Sequence, residues 1–200
     1  VNCKVIVAKK KGTSWDKPEE ISLVPDTITA GHPTLSPDGL NLYFASNLAG
    51  GYGGKDIWVV SREGTRDDWG QPVNLGPGVN TIADEVFPFL HEDGTLYFSS
   101  NGHIGMGGLD IFYALYKNNN WDNVSNMKYP INSAGDDFSI VFEGVNNRGY
   151  FTSNRIGGKG GDDIYQFELP PLEFKVKGIV TDSKTGVILT GVTVQLVNTN

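Results

Sequence analysis

The chain has one cysteine, Cys3, so no intrachain disulfide can form. The neighbourhood Val1-Asn2-Cys3-Lys4 lacks the small and apolar residues that precede a lipidated cysteine, and Cys3 is expected to be a buried free thiol. Histidine is scarce at three residues, which leaves little material for a metal centre or a general base. No apolar run approaches the roughly 18 residues of a membrane helix. No secretory leader pattern is present either, and a chain opening on Val1 is compatible with a leader already removed. Cationic side chains are outnumbered, 16 Lys+Arg against 23 Asp+Glu, for a net charge of −7. That balance argues against nucleic-acid binding, which needs a basic footprint.

Glycine and proline are plentiful, at 26 and 10 of 200 residues. Both break helix interiors, which argues against a helical bundle. The glycines do not fall at every third position, so collagen is excluded. Hydrophobic residues at 38% and aromatics at 11% exclude a disordered chain. The length permits one or two domains with a real core.

Three segments align internally. Tyr43-Phe44-Ala45-Ser46-Asn47 is followed by Gly53-Gly54-Lys55-Asp56-Ile57-Trp58. Tyr97-Phe98-Ser99-Ser100-Asn101 is followed by Gly107-Gly108-Leu109-Asp110-Ile111-Phe112, and Tyr150-Phe151-Thr152-Ser153-Asn154 by Gly160-Gly161-Asp162-Asp163-Ile164-Tyr165. The recurring aspartates lie 54 and 53 positions apart. A period near 50 belongs to propellers and solenoids. Trp15, Trp69 and Trp121 also recur and are expected to pack the outer hairpins. Residues 1–25 therefore read as the tail of an earlier repeat, with Val5-Ile6-Val7-Ala8 matching Ile57-Trp58-Val59-Val60.

Within a repeat, short apolar runs bounded by Gly, Pro, Asn and Asp read as strands. In the first, a strand begins at Pro33-Thr34-Leu35, and Ser36-Pro37-Asp38-Gly39 forms a turn. Strands follow at 42–45, 56–61 and 71–75. The second repeat keeps a turn at Glu92-Asp93-Gly94, whereas the third has a loop two residues longer, 143–149. Four strands per repeat describe a propeller blade. The fold class expected is all-β: part of a β-propeller over 1–169, a linker at 170–172, and the start of a small β-sandwich over 173–200. The aromatics repeating in register, Tyr43, Phe44, Tyr97, Phe98, Tyr150, Phe151, Trp58, Phe112 and Tyr165, are expected to be core between blades.

The Ser-Pro-Asp-Gly turn, the Leu-Tyr-Phe-x-Ser-Asn run and the Gly-Gly-x-Asp-Ile-aromatic run resemble the TolB-type propeller repeat of bacterial envelope proteins. The segment after Pro170-Pro171, with Phe174-Lys175-Val176-Lys177-Gly178-Ile179-Val180 and Leu189-Thr190-Gly191-Val192-Thr193-Val194-Gln195-Leu196, is similar to the opening of a carboxypeptidase-regulatory-like domain. That order resembles the OmpA-family envelope proteins of Bacteroidetes, in particular the PorE-like members associated with type IX secretion. The resemblance implies a periplasmic, outer-membrane-associated protein that anchors to peptidoglycan through a domain outside this chain. Three repeats and a tail are too few to close a propeller, which needs at least four blades, so further blades are expected before Val1.

Several residue sets could carry chemistry. The Gly-rich loops 50–54, 105–108 and 157–161 could cradle phosphate through backbone N–H groups. Gly54-Lys55 is followed by Asp56 rather than Ser or Thr, however, and recurrence in every repeat favours tight structural loops. Asp56, Asp110 and Asp163 are expected to accept backbone N–H bonds that close those loops. The alternative, a Ca²⁺ site, needs paired carboxylates, which only Asp162/Asp163 and Asp136/Asp137 offer. Ser46-Asn47, Ser100-Asn101 and Ser153-Asn154 are expected to cap the second strands. A serine nucleophile would need a histidine base in register, and none of His32, His91 and His103 recurs. His91-Glu92 starts like a zinc-protease motif but lacks the second histidine. Tyr52 and His103, loop residues without counterparts, are the expected partner contacts.

The function expected is a non-enzymatic scaffold, with no cofactor, that presents propeller loops to envelope proteins. The alternatives are a TolB-like binder in envelope maintenance and an accessory propeller of a secreted peptidase or glycan-degrading enzyme.

Overall fold

The computed structural model describes residues 2–170 and 178–194. The chain divides into two compact units, Val1–Leu169 and Pro170–Asn200. All regular structure among the described residues is β, and no helix occurs there.

The first unit opens with β1 (Val5–Val7), β2 (Lys10–Lys11), β3 (Ser14–Trp15) and β4 (Glu19–Ile21). β1 pairs with β4 and β2 with β3, both antiparallel. A four-stranded sheet follows: β5 (Ala30–Leu35), β6 (Asn41–Ser46), β7 (Asp56–Ser61) and β8 (Val73–Asn74), hydrogen-bonded in chain order. A second has the same order: β9 (Glu85–Leu90), β10 (Leu96–Ser100), β11 (Asp110–Lys117) and β12 (Asn120–Asn126). A third contains β13 (Asp137–Phe142), β14 (Arg148–Ser153) and β15 (Asp163–Glu168). No closed ring is formed among the described residues. In the second unit the described residues hold one isolated bridge, Thr181 to Ile188, closed by a turn in which Asp182 accepts the N–H groups of Lys184 and Thr185. The expected sandwich strand at 174–177, the end of the other at 195–196 and linker positions 171–172 lie outside the described residues.

Successive residues of a strand point to opposite faces, and here each face of the first sheet meets a different neighbour. Leu42, Phe44, Trp58 and Val60 pack with Val5, Leu23 and Val24 from the opening segment. Tyr43 and Ile57, on the other face, pack with Leu96, Phe98, Phe112 and Trp121 of the second sheet. The second sheet repeats this with the third, where Ile111 joins Ile131, Ile140, Phe151 and Phe167. A strand buried on both faces has no polar side to show, which accounts for the continuous apolar run in β6.

Burial follows the neighbour as much as the residue. Ile57 and Ile111 are 0% exposed, while the equivalent Ile164 is 78% exposed because no sheet among the described residues covers it. The same reason corrects the expectation that Tyr150 is core: it is exposed, whereas Tyr97 and Tyr165, half-buried, pack against the core between the second and third sheets. Two further expectations are corrected. Of the tryptophans expected to pack the outer hairpins, Trp121 is buried and Trp69 packs half-buried under the Arg62 guanidinium at 4.2 Å, but Trp15 is exposed on its short hairpin. Cys3 is exposed, since it precedes the first strand and lies over Gly31 at the margin of the sheet. The first strand starts at Ala30 rather than Pro33, and the fourth shrinks to Val73–Asn74.

Truncating a buried isoleucine removes its transfer energy and leaves a cavity, costing about 2–5 kcal/mol. Ile111→Ala is expected to lower stability by that amount in urea unfolding, and Ile164→Ala by no more than about 0.5 kcal/mol.

Candidate functional site

The recurring aspartates sit at the start of the third strand of each sheet, and each holds the loop before it. Asp56 Oδ2 accepts the Tyr52 N–H at 2.6 Å. Asp110 Oδ2 accepts those of Met106 at 2.7 Å and Gly107 at 3.0 Å. Asp163 Oδ2 accepts those of Lys159 at 2.7 Å and Gly160 at 3.1 Å. A Cβ on Gly51, Gly105 or Gly158 would collide with that carboxylate, so glycine is the residue that lets the aspartate close the loop. The loops are therefore locally bonded units whose N–H groups are occupied by a carboxylate.

The Ser-Asn pairs hold the other end of the loop. Ser46, Ser100 and Ser153 accept the N–H of the residue two positions on. The asparagines reach across to the first strand: Asn47 accepts the N–H of Thr29, Asn101 that of Asp84, and Asn154 that of Asp136. Ser100 also donates to Glu85, a fully buried carboxylate that accepts the N–H and hydroxyl of Thr81. Asp137 takes the place of Glu85 in the third repeat, bonded to Ser133 and paired with Arg155 at 2.6 Å.

The loops form a rim with the segments 81–84 and 133–136. Gly53 lies against the backbone of Thr81 and Ile82, Gly102 against Thr81 and Ala83, and Gly107 against Ser133 and Gly135. Order along the rim is thus loop, segment, loop, segment, loop. Exposed apolar side chains stand along it: Tyr52, Ile82, Ile104, Met106 and Ile156. Tyr52, 49% exposed, does have structural counterparts, Met106 and Lys159, whose N–H groups make the same bond to the aspartate. His103 is half-buried: its Nε2 lies 2.7 Å from Val79 O, and its ring packs on Phe98 and Phe112. Arg155 does equivalent work in the third repeat, donating to Pro130 O and Ile131 O and lying over Phe151 and Tyr165 at 4.9 Å.

Two features escape the sequence patterns. Asn80 and Asn132, 3% and 0% exposed, each grip an isoleucine backbone: Asn80 with Ile57 N–H at 2.8 Å and C=O at 3.0 Å, Asn132 with Ile111 at 2.8 Å for both. Their signal is an extension of the repeat into the connections, as Val79-Asn80-Thr81 and Ile131-Asn132-Ser133. The second feature is a row of bulges. The first strands β5, β9 and β13 each break register around a non-glycine residue at positive φ: His32 at 51°, Phe87 at 52° and Ser139 at 57°. Such backbone costs about 1–3 kcal/mol each and concentrates at functional positions. The His32 and Phe87 rings stack at 3.8 Å, and Phe87 stacks on Phe138 at 5.0 Å, beside a cleft of about 150 Å³. Burial, with a smaller contribution from Lys55, holds the His32 imidazole below its ordinary range.

As for metals, no group of three or more His, Cys, Asp or Glu side chains stands together among the described residues. Asp136 is engaged by Leu109 N–H and Asn154, and His91 lies in its own turn against Asp93.

No protein-family model and no curated protein matches this chain. Among solved structures it is similar to a puromycin-hydrolyzing peptidase of Mycobacterium tuberculosis, with a TM-score of 0.51 and 16% identity over 84% of this chain. The match spans only 29% of that peptidase. The likeness is one of fold, and it corrects the expectation that the chain is non-enzymatic: the neighbour that shares this fold is a hydrolytic enzyme.

Gly105→Ala places a Cβ onto the Asp110 carboxylate, whereas Gly161→Ala meets no atom within 4 Å. The first is expected to destabilise by about 1–3 kcal/mol and the second to leave the thermal midpoint unchanged, both read by thermal unfolding.

Proposed function

We propose that the first unit is a section of a β-propeller that recognises a protein partner through its loop rim, in an envelope protein of the TolB-repeat and OmpA-family type. In that setting the chain works in the periplasm at the outer membrane, with type IX secretion components as the class of partner. Peptidoglycan contact would come from a domain outside this chain. The reading is carried by the rim: exposed Tyr52, Ile104, Met106 and Ile156 stand on loops held by Asp56, Asp110 and Asp163, and exposed Ile82 stands on the segment beside Gly53. Tyrosine and methionine are enriched in protein interfaces, and a rigid loop loses little entropy when it binds. Large apolar side chains exposed on neighbouring loops mark an interaction site more often than singly scattered ones do.

A photo-crosslinking residue at position 52 or 104 is expected to trap one discrete envelope protein in the native host. The same residue at Val73, an exposed position outside the loops, is expected to trap none, and Ile82→Asp should abolish the rim adduct. Equal adducts from position 73 would contradict the rim reading.

A second reading is favoured by the peptidase neighbour: an accessory propeller that steers substrates to a hydrolytic domain outside this chain. Peptide hydrolysis by the full-length parent, with KM raised by Tyr52→Asp and kcat unchanged, would select it.

A further inference from the structure

One junction is built three times in this chain. Cys3 O accepts the Ala30 N–H at 3.0 Å, Lys55 O that of Glu85 at 2.6 Å, and Leu109 O that of Asp137 at 2.6 Å. At the second and third junctions the incoming segment carries the same instruments. Its asparagine, Asn80 or Asn132, grips the backbone of Ile57 or Ile111. Four residues later its aspartate accepts the N–H of Lys55 at 2.7 Å or of Leu109 at 2.8 Å. The glycine pairs Gly53-Gly54 and Gly107-Gly108 lie so close to it that a Cβ on any of them would collide.

The third sheet presents the matching half of a fourth such junction. Asp162 corresponds to Lys55 and Leu109, Ile164 to Ile57 and Ile111, and Gly160-Gly161 to the two glycine pairs. Within the described residues of the first unit nothing occupies it. Ile164 is 78% exposed, a Cβ on Gly161 would meet no atom within 4 Å, and one on Gly160 would meet only Asp163 Oδ1, at 3.9 Å.

We propose that this face of the third sheet, centred on Ile164 beside the Gly160-Gly161 loop, is a docking site for a polypeptide segment of defined chemistry. The segment has an aliphatic residue, Asn, then Thr or Ser, two further residues, and a side chain that accepts the Asp162 N–H. The Asn brackets the Ile164 N–H and C=O, and the backbone N–H of the residue that follows the accepting side chain donates to Asp162 C=O, as Glu85 and Asp137 do at the other junctions. A second copy of this chain is a poor donor of that segment, because its own Asn80 and Asn132 are already engaged.

Charge sets the preference at the accepting position. Where the second junction pairs Lys55 with Asp84 at 3.2 Å, the third sheet has the carboxylate of Asp162. Two carboxylates facing one another repel, so an uncharged acceptor such as Asn is favoured over Asp.

The test uses the 200-residue chain and two synthetic peptides with the sequence of residues 77–90, one native and one carrying Asp84→Asn, followed by fluorescence anisotropy. The Asn peptide is expected to bind saturably and more tightly than the native one. Asp162→Lys in the chain should reverse that order. Gly161→Ala should weaken both at least tenfold while the thermal midpoint of the chain stays put, which separates lost docking from lost folding. Tyr52→Asp, on the rim, should leave peptide binding unchanged, so the two interfaces fail independently. Absence of saturable binding by either peptide, or binding indifferent to Gly161→Ala, overturns the proposal. So does dimerisation of the chain through this face in sedimentation, lost with Ile164→Lys.

Discussion

The buried amide of an asparagine holding the backbone of a neighbouring isoleucine is the constraint on which this architecture rests. A buried polar group left unpaired costs about 1–3 kcal/mol, so Asn80 and Asn132 are stable inside the protein only where Ile57 and Ile111 offer both an N–H and a C=O. Each asparagine therefore specifies where the following sheet begins relative to the sheet before it. Apolar packing supplies the larger share of the energy but is not directional. Register between sheets comes from the amide and from the carboxylates of Asp84 and Asp136 just ahead of the following sheet, while Asn101 and Asn154 tie those segments to their own sheets.

The loops inherit their rigidity from this arrangement. Asp56 and Asp110 tie down the loop from within, while the next segment presses on its glycines from outside. What remains exposed is a set of side chains, Tyr52, Ile104 and Met106, on a fixed backbone. Variation among the repeats lies at the corners, where His103 and Arg155 fill comparable space with different chemistry. The scaffold thus keeps its backbone bonding constant and changes the surface it offers, an economy suited to recognition and equally usable beside a catalytic domain.

Much of this is legible in the amino-acid sequence. Asp-Ile-aromatic at a fixed period locates β7, β11 and β15, and the third strand of the first sheet runs from Asp56 to Ser61 as the pattern states. The bonding of the recurring aspartates follows from one carboxylate beside one glycine loop, a local arrangement. Exposure does not follow, because Tyr150 and Ile164 share the chemistry of Tyr43 and Ile57 and differ only in what lies against them. The bulges at His32, Phe87 and Ser139 are hidden for a related reason: positive φ at residues other than glycine is imposed by tertiary packing and leaves no compositional mark. Asn80 and Asn132 are masked because they lie in connections, where asparagine ordinarily signals a turn.

Native-state hydrogen exchange at the three equivalent isoleucine amides addresses the central claim most directly. If the asparagine grip holds the sheets together, the amides of Ile57 and Ile111 exchange only when the whole unit unfolds, with protection that falls in Asn80→Ala and Asn132→Ala respectively. The amide of Ile164, which no asparagine among the described residues engages, exchanges far faster by local opening. Equal protection at all three amides, or free exchange at Ile57 and Ile111 in the native chain, would contradict the account.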